Sequence, residues 1–168
     1  MKNIFYILFL LPIFFSCQSE KVATVYPNHV GDIEFDDKVD DVNFKKCLND
    51  KFSFQYYNTS KGLEFKGEKI TIEKKLEQEN IRSSKDANGY ITIRFVVNCE
   101  GKTGMFRVQA MNEKYQKIDF HEKFINQLLD FTKQLNGWIP KEYDGHKIDY
   151  YQYLTYKIEN GKVSEILP

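Results

Sequence analysis

Between Gly89 and Met111 apolar and polar residues alternate with a period of two. Ile91, Ile93, Phe95, Val97 and Cys99 fall on one side, Tyr90, Thr92, Arg94 and Asn98 on the other. Successive side chains of a strand point to opposite faces, so this is a strand with one buried face. Asn98-Cys99-Glu100-Gly101 then supplies a turn, because Asn and Gly tolerate positive φ. Phe106, Val108 and Ala110 alternate with Arg107 and Gln109, which predicts a second strand folding back on the first. After Ile118 the period changes. His121, Phe124, Ile125, Leu128, Phe131, Thr132 and Leu135 recur at spacings of three and four, one face of a helix. Asp119 followed by Glu122 reads as a capping box, and Gly137 with Pro140 ends the helix. Beyond Gly145 alternation returns. Ile148, Tyr150, Leu154, Tyr156 and Ile158 share a face broken only by Gln152; Asp149, Tyr151, Tyr153, Thr155 and Lys157 take the other, and Asn160-Gly161 closes the run.

Upstream, Lys69 to Asn80 is rich in Glu and Lys around Ile70, Ile72 and Leu76, which predicts a further helix. Phe52, Phe54 and Tyr56 alternate, as do Leu63 and Phe65, around the turn-like Asn58 to Gly62, a hairpin or strand–turn segment. The order helix, strand, strand, helix, strand predicts an α+β domain. Its antiparallel sheet has three strands, extended if others join, with two helices packed on one face.

The first residues carry an address. Met1-Lys2-Asn3 is positively charged, and Ile4 to Phe15 is almost unbroken apolar sequence. That run falls short of the ~20 residues a membrane-spanning helix needs. A charged start, an apolar middle and a small residue make a secretory signal. Phe14-Phe15-Ser16-Cys17 resembles the lipobox of bacterial lipoproteins, with Phe14 where an aliphatic residue is usual. The resemblance implies cleavage before Cys17 and acylation of that cysteine. Each buried methylene contributes ~0.8 kcal/mol, so several chains hold a protein firmly at a membrane. The expected address is the cell envelope, lipid-anchored at the outer membrane on its periplasmic face or at the cell surface. A plain secretory signal with an incidental cysteine is the alternative. The expected layout is a signal over 1–16, an acidic polar spacer over 17–43, and a domain with an N-terminal extension over 44–168.

Lys plus Arg equals Asp plus Glu, 24 of each, so no basic stripe favours nucleic acid. Fourteen Phe and eleven Tyr suit a sheet-rich core. With Cys17 assigned to lipid, Cys47 and Cys99 remain. In an oxidising compartment they are disulfide candidates, and two buried free thiols are the alternative. Asp32, Glu34, Asp36, Asp37, Asp40 and Asp41 could offer oxygens to Ca²⁺. Their spacing is not that of an EF-hand loop, and a solvated spacer is the simpler reading. His29, His121 and His146 lack metal-ligand spacing, no Gly-x-Ser-x-Gly turn is present, and Cys47 and Cys99 are too far apart for a Cys-x-x-Cys pair. No enzyme, cofactor or metal site is expected.

With the element order in place, Lys69 to Val163 resembles the C-terminal domain of the TonB family. Gly89-Tyr90-Ile91-Thr92-Ile93-Arg94-Phe95-Val96-Val97-Asn98-Cys99-Glu100-Gly101-Lys102 is similar to the family's strand and turn. Gly137-Trp138-Ile139-Pro140 with Gly145 is similar to its Trp-x-Pro and following Gly, and Ile158 to Val163 to its strand end. The chain departs from TonB itself in lacking an uncleaved membrane helix and a Pro-rich spacer, and Phe65-Lys66-Gly67 stands near the family's Tyr-Pro pair. The resemblance implies a module that captures an extended segment of an outer-membrane transporter beside its last strand. The matching edge is Ile148 to Ile158, with Ile148, Tyr151, Tyr153, Thr155 and Lys157 as the partner-binding residues. The alternative is a surface or structural lipoprotein reusing the fold with no role in transport.

Overall fold

The computed structural model describes residues 33–48, 53–55 and 63–167. The expected signal, the lipidation site Cys17, His29, and the alternating Phe52 and Tyr56 lie outside the described residues. Strands and helices follow as β1 (Phe54–Gln55), α1 (Glu68–Glu79), β2 (Gly89–Val97), β3 (Thr103–Met111), α2 (Glu122–Gln134), β4 (Lys141–Tyr143), β5 (His146–Ile148), β6 (Tyr150–Glu159) and β7 (Lys162–Leu167).

The protein is α+β. β2 pairs antiparallel with β3 on one side and with β6 on the other. β1 joins β6 in parallel at Tyr150 and Tyr151, and β7 joins it antiparallel over Thr155–Glu159. The sheet is therefore mixed and five-stranded, where the alternation predicted three antiparallel strands. β4 and β5 form a separate ribbon closed by Asp144-Gly145, both at positive φ. Asp-Gly there is the two-residue hairpin turn that matches strand twist.

On the first face of the sheet, Ile91, Ile93, Phe95 and Val97 meet Tyr150, Leu154 and Tyr156, all wholly out of solvent. α2 covers them with Phe124, Leu128, Phe131 and Thr132. Thr132 Oγ1 donates to Leu128 O at 2.7 Å and lies 2.8 Å from the Tyr156 hydroxyl, so the polar atoms buried with the aromatic ring are satisfied. α1 adds Ile72 to the same cluster. The start of α2 differs from the capping box: His121 is the N-cap, its Nδ1 accepting from Lys123 N–H at 3.3 Å. Asp119 stands too far upstream to serve. Its end differs as well. The chain leaves the helix at Leu135, whose side chain is buried in the core. Gly137 instead packs under the Phe65 ring, its carbonyl accepting from Lys66 N–H at 2.7 Å.

The second face is not left to solvent at its Val96 end. Arg94 pairs with Arg107, and Val96 with Gly104, so Met105 and Phe106 stand opposite Phe95. This bulge places Met105 at positive φ. Phe106 turns back to Phe95 on the first face, with ring centroids 5.2 Å apart. Met105 joins Ile33, Val96 and Tyr151 in a second, smaller cluster under Phe44. Residues 33–48 thus form a strap over the sheet. Ile33 N–H donates to the Tyr151 hydroxyl at 3.1 Å, and Asn98 Nδ2 donates to Lys45 O at 2.9 Å. Arg107 donates from both terminal nitrogens to the two Asp40 oxygens at 2.7 Å, and from Nη2 to Glu34 O at 2.6 Å. The described part of the expected spacer, 33–43, is tied to the sheet by these contacts at Ile33, Glu34 and Asp40, while most of its residues are exposed. Contacts to the sheet are thus present from Ile33 onward, within the span expected as spacer.

The Asp40 side chain is 2 % exposed, and the Arg107 hydrogen bonds hold its carboxyl below the ordinary carboxylate value against the opposing effect of burial. A carboxyl depressed in the folded chain stabilises fully above its unfolded value near 3.9 and loses that stabilisation as pH falls through the lowered folded value. Asp40→Asn is expected to lower the unfolding free energy at pH 7 by about 2 kcal/mol, the scale of a hydrogen bond to a charged group. The difference between the two proteins in urea titrations should shrink steadily between pH 5 and pH 2. A difference that stays constant over that range would sink the assignment.

Candidate functional site

The residues expected to form a partner-binding rim do not lie on one free edge. Ile148 belongs to β5, paired with Lys141, and is buried. Tyr151 is 1 % exposed. Its ring lies 4.6 Å beneath the Arg94 guanidinium, and its hydroxyl is engaged by Ile33. Tyr153, Thr155 and Lys157 are half-buried on the second face of the sheet. Thr155 Oγ1 sits 2.9 Å from Thr92 Oγ1, and Lys157 Nζ is 2.8 Å from Glu159 Oε1. β6 itself is an interior strand. β1 covers its outer edge at Tyr150–Tyr151 and β7 covers it from Thr155 to Glu159. Two local features cause this. Asn160 and Gly161, both at positive φ, turn the chain tightly back onto the edge. The carbonyl of Asp149 accepts from Phe54 N–H at 3.0 Å and fixes β1 in register.

The bare edge lies on the other side of the sheet. Among the described residues, β3 pairs with β2 and, at its last residue Met111, bridges Lys117. At its far end Ala110 O accepts from Ile118 N–H, and Asn112 N–H donates to Gln116 O. From Thr103 to Gln109 no described strand pairs with that side. Outward-pointing groups recur every second residue along a regular strand, so Val108 presents its N–H and C=O in the direction taken by Ala110 O. The Val108 side chain is also partly exposed.

At the opposite end of β2 lies the densest polar constellation. Cys47 and Cys99 are joined as a disulfide, with Cα atoms 5.9 Å apart. Beside them Asp149, wholly buried, accepts through Oδ2 from Cys47 N–H at 2.8 Å and Leu48 N–H at 2.7 Å. Its Oδ1 accepts from Cys99 N–H at 3.0 Å. Among the described residues these three side chains form the one group of potential metal ligands, every ligand atom within 4.8 Å of the others. Periodicity put Asp149 merely on the outer face of a strand. An acid flanked by Ile148 and Tyr150 in an aromatic strand was the available signal. His121 caps a helix and His146 lies exposed in the β4–β5 ribbon. The acids of the strap serve it internally: Asp36 N–H donates to Asp40 Oδ2, and Lys38 N–H to Asp36 Oδ1.

Lys141 is the buried cation of the site region. Its ammonium lies 4.5 Å from the centre of the Tyr150 ring and 3.6 Å from Glu64 Oε1. Burial lowers its pKa, with Glu64 opposing. The Tyr150 hydroxyl, its own pKa raised by burial, donates to Ile139 O at 3.0 Å. These contacts hold the ribbon to the start of β6.

Compared with known proteins, the chain matches no family model, no curated protein and no solved structure. Among the described residues, no helix is long and apolar enough to cross a membrane.

The disulfide closes a loop with a sequence separation of 52 residues. The chain-entropy treatment assigns a loop of that size about 4 kcal/mol. Urea unfolding of the Cys47→Ser, Cys99→Ser double variant should show a loss of that order, with α2 and the sheet intact by circular dichroism. A loss below about 1 kcal/mol would mean that the unfolded chain is not being constrained by the bridge.

Proposed function

We propose that this chain is a non-enzymatic cell-envelope lipoprotein, anchored through acyl chains on Cys17, whose TonB C-terminal-like domain captures an extended segment of an envelope partner by strand addition. The partner class is an outer-membrane transporter or another envelope protein that offers such a segment. What supports this reading is the outer edge of β3 from Thr103 to Gln109, which no described strand pairs, in a sheet whose β2 and β6 have strand partners on both sides. An incoming strand there gains main-chain hydrogen bonds and extends a rigid, buried sheet, and the bulge at Met105 limits the register it can adopt. The docking edge of this proposal is thus on β3 and no longer on β6.

A second reading is favoured by a specific observation. The edge of β6, beside which the TonB family receives its partner, is occupied here by the chain's own β1 and β7. On this reading the fold serves a surface or structural lipoprotein with no part in transport.

A photo-crosslinking residue at Val108 in intact cells should capture a defined envelope protein, and the same probe at Tyr153 should not. Val108→Pro removes the outward N–H and should abolish capture in a variant that still folds. Capture from Tyr153 alone would move the site back to β6, and capture from neither position would favour the second reading.

A further inference from the structure

We infer that Cys47, Cys99 and Asp149 form a binding site for a thiophilic divalent cation of the zinc class once the disulfide is reduced. The ligand set is soft and mixed: two thiolates and one carboxylate, the donors that zinc takes in tetrahedral sites. The spacing is suitable. Two sulfurs bound to one Zn²⁺ at ~2.3 Å in tetrahedral geometry stand about 3.7 Å apart, a separation that cysteines with Cα atoms 5.9 Å apart can span by rotation about χ1.

Asp149 carries the inference further than a cysteine pair would. A carboxylate offers about four lone-pair sites. Its hydrogen bonds from Cys47, Leu48 and Cys99 N–H use three of them. A carboxylate oxygen of Asp149 lies within 4.8 Å of both sulfurs. Metal-ligating carboxylates are themselves held by hydrogen bonds, and here the main chain of both cysteines already provides them. Those bonds do not involve the sulfurs, so they keep the two cysteine backbones in place after the covalent link is cut. Reduction also assembles three acidic groups in a small volume, where a divalent cation relieves the mutual repulsion of their charged forms. Cys47 is exposed, which opens its sulfur to a reductant, and Asp149 is buried, which shields one side of the site. Three protein ligands leave a fourth position for water or a partner's side chain.

The chemistry balances with a dithiol as reductant. One of its thiolates attacks the Cys47 sulfur and breaks the Cys47–Cys99 bond, releasing Cys99. Its second thiol displaces Cys47, so the dithiol leaves as a cyclic disulfide and the protein holds two thiols. Binding of Zn²⁺ then releases those two thiol protons to solvent. The site passes from the single negative charge of Asp149 to a complex of two thiolates, one carboxylate and one dication, again with one negative charge. The inference is independent of strand capture at β3, and its readouts involve no partner.

The test uses the full mature chain reduced with a phosphine and titrated with Co²⁺, followed by Zn²⁺. We expect a sulfur-to-cobalt charge-transfer band that saturates at one Co²⁺ per chain, is bleached by Zn²⁺, and is absent from the oxidised protein and from Cys47→Ser. X-ray absorption of the Zn²⁺ form should give two sulfurs at ~2.3 Å and oxygen near ~2.0 Å. Asp149→Asn should weaken binding by at least about tenfold. Should that variant fail to fold, the carboxyl ¹³C resonance of Asp149 in the reduced wild type provides the same test, and it should shift on addition of Zn²⁺. Absence of the charge-transfer band in reduced, folded protein overturns the site. A band with unchanged affinity in folded Asp149→Asn, or with an unmoved Asp149 resonance, overturns the carboxylate as ligand and with it the three-ligand site.

Discussion

A carboxylate taken out of water is tolerated only where donors replace its hydration, and Asp149 obtains three of them from main-chain N–H groups. Two come from the strap at Cys47 and Leu48 and one from the β2–β3 turn at Cys99. Its own backbone lies between β5 and β6, and its carbonyl fixes β1. The strap, the β2–β3 turn and the β5–β6 junction therefore meet at one side chain, and β1 at the main-chain carbonyl of the same residue. The bonds are charge-assisted and strong for their number. The disulfide lies over this junction and acts mainly on the unfolded chain, whereas Asp149 acts on the folded one. The two devices are complementary: one narrows the ensemble that must be ordered, and the other defines where the strap comes to rest.

With the strap placed, the sheet becomes two-sided at one end and one-sided at the other. β2 buries Ile91, Ile93 and Phe95 toward the helices, yet Val96 faces the strap and is equally out of solvent. Arg94, one turn of the pleat away, cannot be buried without a partner, and stacking on Tyr151 gives its guanidinium one. The bulge at Met105 serves the same division. Without the extra residue, the apolar side chain of Met105 would not reach the Ile33 and Phe44 cluster while Phe106 returns to Phe95. Gly104 is needed there too, because a Cβ at that position would overlap the Phe44 ring.

Much of the fold was legible because it rests on local periodicity. β2, α2 and most of β6 bury one stripe each, β3 buries Phe106 and Ala110 of its stripe in part, and a stripe of period two or 3.6 is visible in any window of residues. α1 was legible by composition, lying within a residue of the expected Lys69–Asn80. The rest depends on partners far along the chain. β1 has two residues, and its pairing is set by Asp149 nearly a hundred positions later. β7 alternates weakly, because only Ile166 is buried. The strap reads as an acidic linker until Arg107 supplies the counter-charge for Asp40. The filling of the β6 edge by β1 and β7 was hidden for the same reason. Alternation separates the faces of β6 correctly, but it carries no information on whether the strand's edges are filled. The cysteines were legible as candidates for pairing, while the carboxylate beside them had no sequence signature beyond an acid in an aromatic strand.

Edges rather than faces decide what such a sheet can do. A face with half-buried Tyr153, Thr155 and Lys157 offers side-chain contacts that neighbouring residues already satisfy. An edge offers a row of donors and acceptors whose only alternative partner is water, so an extended chain of suitable register binds it with little rearrangement. β6 has given up most of that row to β1 and β7, both supplied by the chain itself. On β3, no described strand pairs with the outer side of Thr103–Gln109; the bulge at Met105 lies inside that stretch, Ala110 is pinned at its end, and Phe106 O already accepts from Arg107 Nη1 at 2.8 Å. The bulge bends the strand locally and so limits how a second strand can slide along it. Among the described residues, the Thr103–Gln109 stretch of β3 is thus an edge without a strand partner on one of the sheet's long strands.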